Sequence, residues 1–256
     1  MTSKILQLSE KEYRAFPAES FSSLKYILGK NGPHDFLHFK SKPFKGSAAS
    51  LLGTCIHHVI QGNKHLIEYT TLTNTKKNEE ELRALKDDLY KRVGEEGILV
   101  PETFKEKLTL IEQNFLKNSA ATGLMAKCDV ETAYSFVLNG VPFKGKVDGV
   151  SKRNEGIPFV LEIKSSSQAV TVSEFREEAY ERDYDMQAAM YLHATGGEKH
   201  FFIHVGTTAP FNISVYESSK EFLQSGVKKS LEAAERYKKY ILDKEEWDAT
   251  NTIEML

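Results

Sequence analysis

The chain has 256 residues, of which 40% are hydrophobic, enough to build one large domain or two small ones. Its 34 basic residues stand against 36 acidic ones, so no general basic surplus marks a nucleic-acid binder and any phosphate contact must come from a local patch. The only cysteines, Cys55 and Cys128, are too few and too far apart for a disulfide framework or a CxxC zinc or iron–sulfur site.

The opening segment MTSKILQLSEKEYRAF has no apolar stretch of the secretory type, and no run approaches membrane-spanning length. A soluble, cytoplasmic protein is expected. Residues 20–64 are locally basic, with Lys25, Lys30, Lys40, Lys42, Lys45 and Lys64 against one acid, Asp35, and with aromatic residues between them. That pattern suits a nucleic-acid groove, although a solvated basic face looks the same. Gly53 to Gln61 reads as a helix, and the polar stretch between Lys64 and Glu79 as a mobile excursion. Leu82, Leu85 and Leu89 form one stripe of a helix over 78–92. Phe104, Leu108, Ile111 and Phe115 form another after Pro101.

Beyond Glu131 the texture changes. Ala133–Leu138 and Val141–Val150 are strand candidates joined by Asn139-Gly140, a strong two-residue hairpin signal. A third strand covers 159–165. Thr171 to Glu174 is a capping box that opens a helix, which continues or restarts through Tyr184 to His193. FFIHV (201–205) and FNISVY (211–216) are further strands, and a second capping box at Ser218–Glu221 opens a helix to about Ile241. This order predicts one α/β domain over 1–256 with a mixed sheet flanked by helices: a helical part over about 1–125, a sheet core over about 126–216, and a C-terminal helix and tail over 217–256.

The stretch FVLEIKSS is apolar except where Glu162 and Lys164 interrupt it. Two residues apart on a strand, they share a face, where unpaired charge is costly. Asp148 closes the preceding strand in GKVDGV, so adjacent-strand pairing would bring two carboxylates together. Close carboxylates repel unless a cation lies between them, and oxygen-rich sites select Mg²⁺ or Mn²⁺. Lys164 could orient a water and balance transition-state charge. Gln187 and Tyr191, four apart on a helix, project together and could hold Lys164 or a phosphate.

Gly53-x-x-x-His57, Gly145-x-x-Asp148, Glu162-x-Lys164 and Gln187-x-x-x-Tyr191, in that order, resemble the GxxxH, GxxD, (D/E)xK and QxxxY motifs of the PD-(D/E)XK nuclease superfamily. The segments FSSLKYIL, LGTCIHHVI, FKGKVDGV, LEIKSS and YDMQAAMYL are similar to the RecE-type (exonuclease VIII) phage recombination exonucleases, over about residues 21–240. Glu162 stands where the nearest members more often have Asp, and little beyond Trp247 aligns after Lys244.

The resemblance implies a PD-(D/E)XK core and a Mg²⁺-dependent exodeoxyribonuclease, with Mn²⁺ as a substitute. Its metal ligands would be Asp148, Glu162, the Ile163 carbonyl and His57, with Glu131 as a further site carboxylate. Lys164 would position the attacking water, with Gln187 and Tyr191 beside it. It also implies linear duplex DNA digested 5′→3′ to a 3′ overhang, in the cytoplasm of a bacterial host from a phage or prophage gene. A RecT-like single-strand annealing partner and a ring-shaped homo-oligomer, trimer or tetramer, are implied in the same way. Lys25, Lys40, Lys42 and Lys45 are the candidates for DNA binding. A structure-specific or restriction-like endonuclease, or a non-catalytic DNA-binding member of the fold, are the alternatives. In isolation, Glu162–Lys164 would read as a structural ion pair and His57 as an ordinary helix histidine.

Overall fold

In a computed structural model, residues 3–43, 46–153, 156–167 and 171–247 are described. Their centre is a six-stranded sheet in the order β1 (Lys4–Leu6), β4 (Cys128–Leu138), β5 (Val141–Ser151), β6 (Phe159–Ser166), β7 (Lys199–Gly206), β8 (Ile213–Glu217). Its two long strands, β4 (Cys128–Leu138) and β5 (Val141–Ser151), form the expected hairpin. Asn139 and Gly140 both take positive φ, 50° and 78°, as a two-residue turn matched to strand twist requires. β6 (Phe159–Ser166) pairs antiparallel with β5 and parallel with β7 (Lys199–Gly206), and β8 (Ile213–Glu217) closes that edge.

The parallel pair needs a crossover, which is supplied by α8 (Val172–Glu181) and α9 (Tyr184–Thr195). The box at Thr171 and Glu174 caps α8 as expected. Asp183, in the left-handed region at φ 59°, breaks the chain before α9, so the helix restarts.

Alternation along β6 sorts its side chains between two cores. Val160 packs with Met186, Met190 and Tyr191 of α9, and with Phe21, Leu24 and Phe36 from α2 (Phe21–Leu24) and α3 (Pro33–Ser41). Leu161 and Ile163 pack on the other side with Leu52, Cys55 and Ile56 of α4 (Ala48–Ile60) and with Leu108 and Ile111 of α6 (Phe104–Lys117). α10 (Lys220–Tyr237) lies against α9 and continues into a π-helical turn, Lys238–Leu242. The short α7 (Ser119–Ala126) leads into β4.

Three expectations are corrected. The stretch between Lys64 and Glu79, expected as a mobile excursion, contains a strand: Ile67–Thr70 forms β2, which pairs in parallel with β3 (Ile98–Pro101) across α5 (Glu79–Val93). Tyr69 and Ile98 from this small sheet lie against the α4–α6 core. The last helix is capped by Ser219, whose hydroxyl accepts from the Phe222 amide, and not by the Ser218–Glu221 box. The N-terminus contributes a strand: β1 (Lys4–Leu6) pairs with β4, and α1 (Glu10–Ala15) follows it. Among the described residues no helix is long and apolar enough to cross a membrane.

Candidate active site

The site forms where β5 and β6 part. The two strands pair only at Gly149–Leu161 and Val150–Val160. Beyond that point side chains replace the backbone ladder. The Ile163 amide donates to Asp148 Oδ2 at 2.7 Å, and the Asp148 amide donates to Glu162 Oε1 at 3.3 Å. Each carboxylate thus takes an amide of the opposite strand, a charge-assisted bond stronger than an ordinary one.

The same point is irregular along β5. Gly145 and Val147 face the α9 side, whereas Gly149 faces Cys128 and Leu161 on the other. Side-chain alternation therefore loses phase at Asp148. On β4, Glu131 is skipped between the pairs Val130–Gly149 and Thr132–Val147, and it takes φ 52°. A non-glycine residue in this region is strained, and such strain concentrates at functional sites. A side chain on Gly145 would meet the Tyr191 ring at 2.6 Å, which explains the glycine of GxxD.

α4 and its C-cap residue present two side chains one turn apart. His57 Nδ1 lies 3.4 Å from Asp148 Oδ1. Gln61, four residues on, donates from Nε2 to Glu131 Oε1 at 2.9 Å and to the Asp148 carbonyl at 3.4 Å. Ligand atoms of His57, Glu131 and Asp148 all lie within 4.8 Å of one another. Behind them, Glu162 is 1% exposed. Its Oε2 accepts from Lys164 Nζ and from Gln187 Nε2, both at 3.0 Å. Gln187 also donates to the Tyr191 hydroxyl at 3.3 Å, and Lys164 Nζ lies 4.7 Å from the centre of the Tyr184 ring.

These contacts set the charges. Burial and the adjacent Asp148 carboxylate push Glu162 up to about 7, in spite of Lys164. Burial would raise Asp148 as well, but His57, Lys164 and the Ile163 amide outweigh it and hold Asp148 low. His57 shows the converse: burial disfavours its charge, yet Asp148 and Glu131 raise its pKa.

The structure therefore gathers His57, Glu131, Asp148, Glu162, Ile163, Lys164, Gln187 and Tyr191 in one place. It does not bring the basic-patch lysines there as a group. Lys40 pairs with Glu19 at 2.9 Å, and Lys42 is exposed. Lys25 Nζ donates to the Arg182 carbonyl at 3.2 Å, and Lys45 lies outside the described residues. Sequence reasoning missed Gln61, Tyr184, Lys146 and Glu10. Lys146 Nζ bridges Glu131 Oε2 at 2.6 Å and Glu10 Oε2 at 3.0 Å. Its place two residues before Asp148 and Gln61's place four after His57 were the available signals. A cleft of about 1850 Å³ runs from His57, Glu131 and Asp148 to Arg83, Lys86 and Tyr90 on α5.

This arrangement agrees with a family comparison. Residues 20–256 match the family described as a PDDEXK-like domain of unknown function (DUF3799). The chain belongs to this family. A crystal structure from Eubacterium rectale, of a protein whose exonuclease designation is provisional, shares the fold with a TM-score of 0.64 at 16% identity, over 94% of this chain and 89% of that one. A phage-related exonuclease from Haemophilus somnus aligns at a TM-score of 0.34 and 14% identity, over 75% of this chain and 94% of that one. No curated protein matches the sequence.

PD-(D/E)XK nucleases use divalent metal ions, and the residues here fit one. One imidazole nitrogen and carboxylate oxygens converge, a donor set suited to Mg²⁺ or Mn²⁺. The negative potential that raises His57 would act on such an ion too.

Proposed function

We propose that the protein is a Mg²⁺-dependent exodeoxyribonuclease that digests linear double-stranded DNA, 5′→3′, leaving 3′ single-stranded overhangs for strand annealing. The observation that carries this reading is the pairing of Asp148 and Glu162 across the parted strands with Lys164 fixed beside them. A purely structural Glu–Lys pair would not need the converging His57, Asp148 and Glu131.

His57, Asp148 and Glu131 would hold the ion, with Glu162 and the Ile163 carbonyl as the next ligands. When bound, it supplies Lewis-acid stabilisation of the phosphate and a water acidic enough to attack at neutral pH. Lys164, clamped between the Glu162 carboxylate and the Tyr184 ring, orients that water and offsets the charge that builds on the phosphate. Gln187 fixes the Glu162 oxygen that Lys164 binds, and Tyr191 holds Gln187. In-line attack of that water would form the new P–O bond as the bond to the 3′ oxygen breaks, leaving a 5′ phosphate on one fragment and a 3′ hydroxyl on the other.

The exonuclease designation of the Eubacterium rectale protein supports the direction of this reading. The chain carries net charge −2, so long digestion would require several basic patches to grip the duplex at once. A ring of identical subunits, trimer or tetramer, with Lys25, Lys40 and Lys42 toward the DNA, would provide that grip, and a RecT-like protein would take the product strand.

The test is digestion of linear duplex labelled at either the 5′ or the 3′ end, with Mg²⁺, against a closed circle. Early release of the 5′ label with the circle intact is expected. Cleavage of the circle would show an endonuclease instead, and no hydrolysis of any substrate would leave only a DNA-binding role.

A further inference from the structure

We infer that Lys146 takes the place of a second metal ion in this site: held by Glu10 of α1, its ammonium occupies the outer oxygen of Glu131, and the site accepts a single divalent cation. This rests on reading the site as a cation-dependent nuclease centre and deepens that reading by assigning its cation number.

The donors are already allocated. Among the described residues, His57, Glu131 and Asp148 form the one group of side chains able to converge on an ion. Asp148 keeps Oδ2 on the Ile163 amide and turns Oδ1 toward His57. Both Glu162 oxygens already accept hydrogen bonds, Oε1 from the Asp148 amide and Oε2 from Lys164 and Gln187, so what Glu162 offers the first ion leaves nothing for a second. A second ion about 3.5–4 Å from the first would need a bridging carboxylate and a further oxygen ligand. The oxygens placed to supply them are Glu131 Oε2 and Glu10 Oε2, and Lys146 Nζ lies on both, at 2.6 and 3.0 Å.

The placement of Glu10 is built, not incidental. β1 pairs with β4 through Lys4–Ser135, Ile5–Tyr134 and Leu6–Ala133, which fixes the start of this segment. Its far end is fixed by Lys144, a buried lysine two residues before Lys146. Lys144 Nζ donates to the carbonyls of Tyr13, Arg14 and Phe16 at 2.7, 3.1 and 3.0 Å, closing the C-terminal end of α1. Two lysines of β5 thus tie down α1, one by its carbonyls and one by its carboxylate. The β1–α1 segment that carries Glu10 precedes residue 20, where the family match begins, whereas Lys144 and Lys146 lie within the match. Glu10 is therefore a positioning residue for Lys146 that comes from outside the matched region.

The experiment is Mn²⁺ titration of the full chain by calorimetry, with electron paramagnetic resonance to detect paired ions. The wild type is expected to bind one ion per chain with no exchange-coupled signal. Lys146→Met leaves Glu10 and Glu131 facing a vacated site, and should gain a second binding step with a coupled Mn–Mn signal. Lys146→Arg should keep one ion, and the double variant Glu10→Gln/Lys146→Met should return to one. Thermal melting accompanies each variant, and the wild-type and Lys146→Arg counts stand even if Lys146→Met does not fold. Two ions in the wild type, a second ion in Lys146→Arg, or a folded Lys146→Met that still binds one would overturn the inference. Two ions together with digestion of linear duplex would overturn it while sparing the nuclease reading. One ion without hydrolysis would do the reverse.

Discussion

Lys164 and Lys40 are both candidate site lysines in the sequence, and their surroundings separate them. The Lys164 side chain is 14% exposed and shares its partner, Glu162, with Gln187. Lys40 is 47% exposed and reaches from the solvent to Glu19, which is 15% exposed. An exposed pair is worth about 0.2–1 kcal/mol and tolerates being moved. A buried pair must be satisfied from every side, so its presence constrains three elements at once. Sheet register forces the first kind of convergence, whereas a helical patch such as 25–45 leaves each lysine to find its own local partner. Density of charge in the sequence is thus a weaker guide than its phase on a strand.

The largest test of this contrast removes the centre of the buried side. Asp148→Ala or Glu162→Ala should abolish measurable Mg²⁺-dependent hydrolysis, a loss of about 10³-fold or more if several kcal/mol of phosphate stabilisation goes with the ion. The fold should persist by circular dichroism. Near-normal turnover in either variant would sink the assignment.

Next, Lys164→Ala should lower turnover by about 10²-fold, within the range of a positioned proton-handling group, while calorimetry shows Mn²⁺ binding retained. A fall in cation affinity equal to that of Asp148→Ala would make Lys164 a structural counter-ion instead.

A third measurement asks what a buried base costs without a carboxylate partner. His200 is fully buried on β7, bonded through Nδ1 to the Ser218 hydroxyl at 2.9 Å, with Nε2 unpartnered. Burial lowers its pKa to about 3, with Lys164 adding to the effect. A depressed histidine contributes stability above its unfolded pKa of about 6.5, and this is lost as pH falls toward 3, by up to about 1.4 kcal/mol per unit. Denaturant titrations between pH 7 and pH 4 should show that slope, flattened in His200→Gln. An equal slope in both would assign acid sensitivity elsewhere.

The smallest effects belong to the patch. Lys40→Gln with Lys42→Gln should change stability by no more than about 0.5 kcal/mol. Each lysine that neutralises a phosphate should, once replaced, reduce the salt slope of duplex binding by about 0.9, with cleavage of a very short duplex unchanged. An unchanged slope in salt-titrated anisotropy would remove both lysines from the DNA path.

Local signals made much of this fold legible. Asn139-Gly140 set the hairpin, the box at Thr171 set α8, and four motifs in order located the site. The small parallel sheet was hidden, because Ile67–Thr70 and Ile98–Pro101 become strands only by pairing across α5, a long-range choice that no local pattern announces. β1 was hidden for the same reason. Within the site, Gln61 and Lys146 had the spacing of functional residues, but their partner Glu131 reaches them only through a left-handed backbone that its sequence does not betray.

The parting of β5 and β6 leaves one nucleus as a resident probe. The Ile163 amide proton points at a carboxylate and not at a carbonyl of the neighbouring strand. A proton in so short a charge-assisted bond resonates well downfield of ordinary strand amides, apart from the crowded spectrum. Anything that draws electron density from Asp148 lengthens that bond and moves the resonance upfield. A single ¹⁵N-labelled isoleucine position could therefore follow occupancy of the site in solution by a diamagnetic ion such as Mg²⁺, with no DNA present and no turnover to measure.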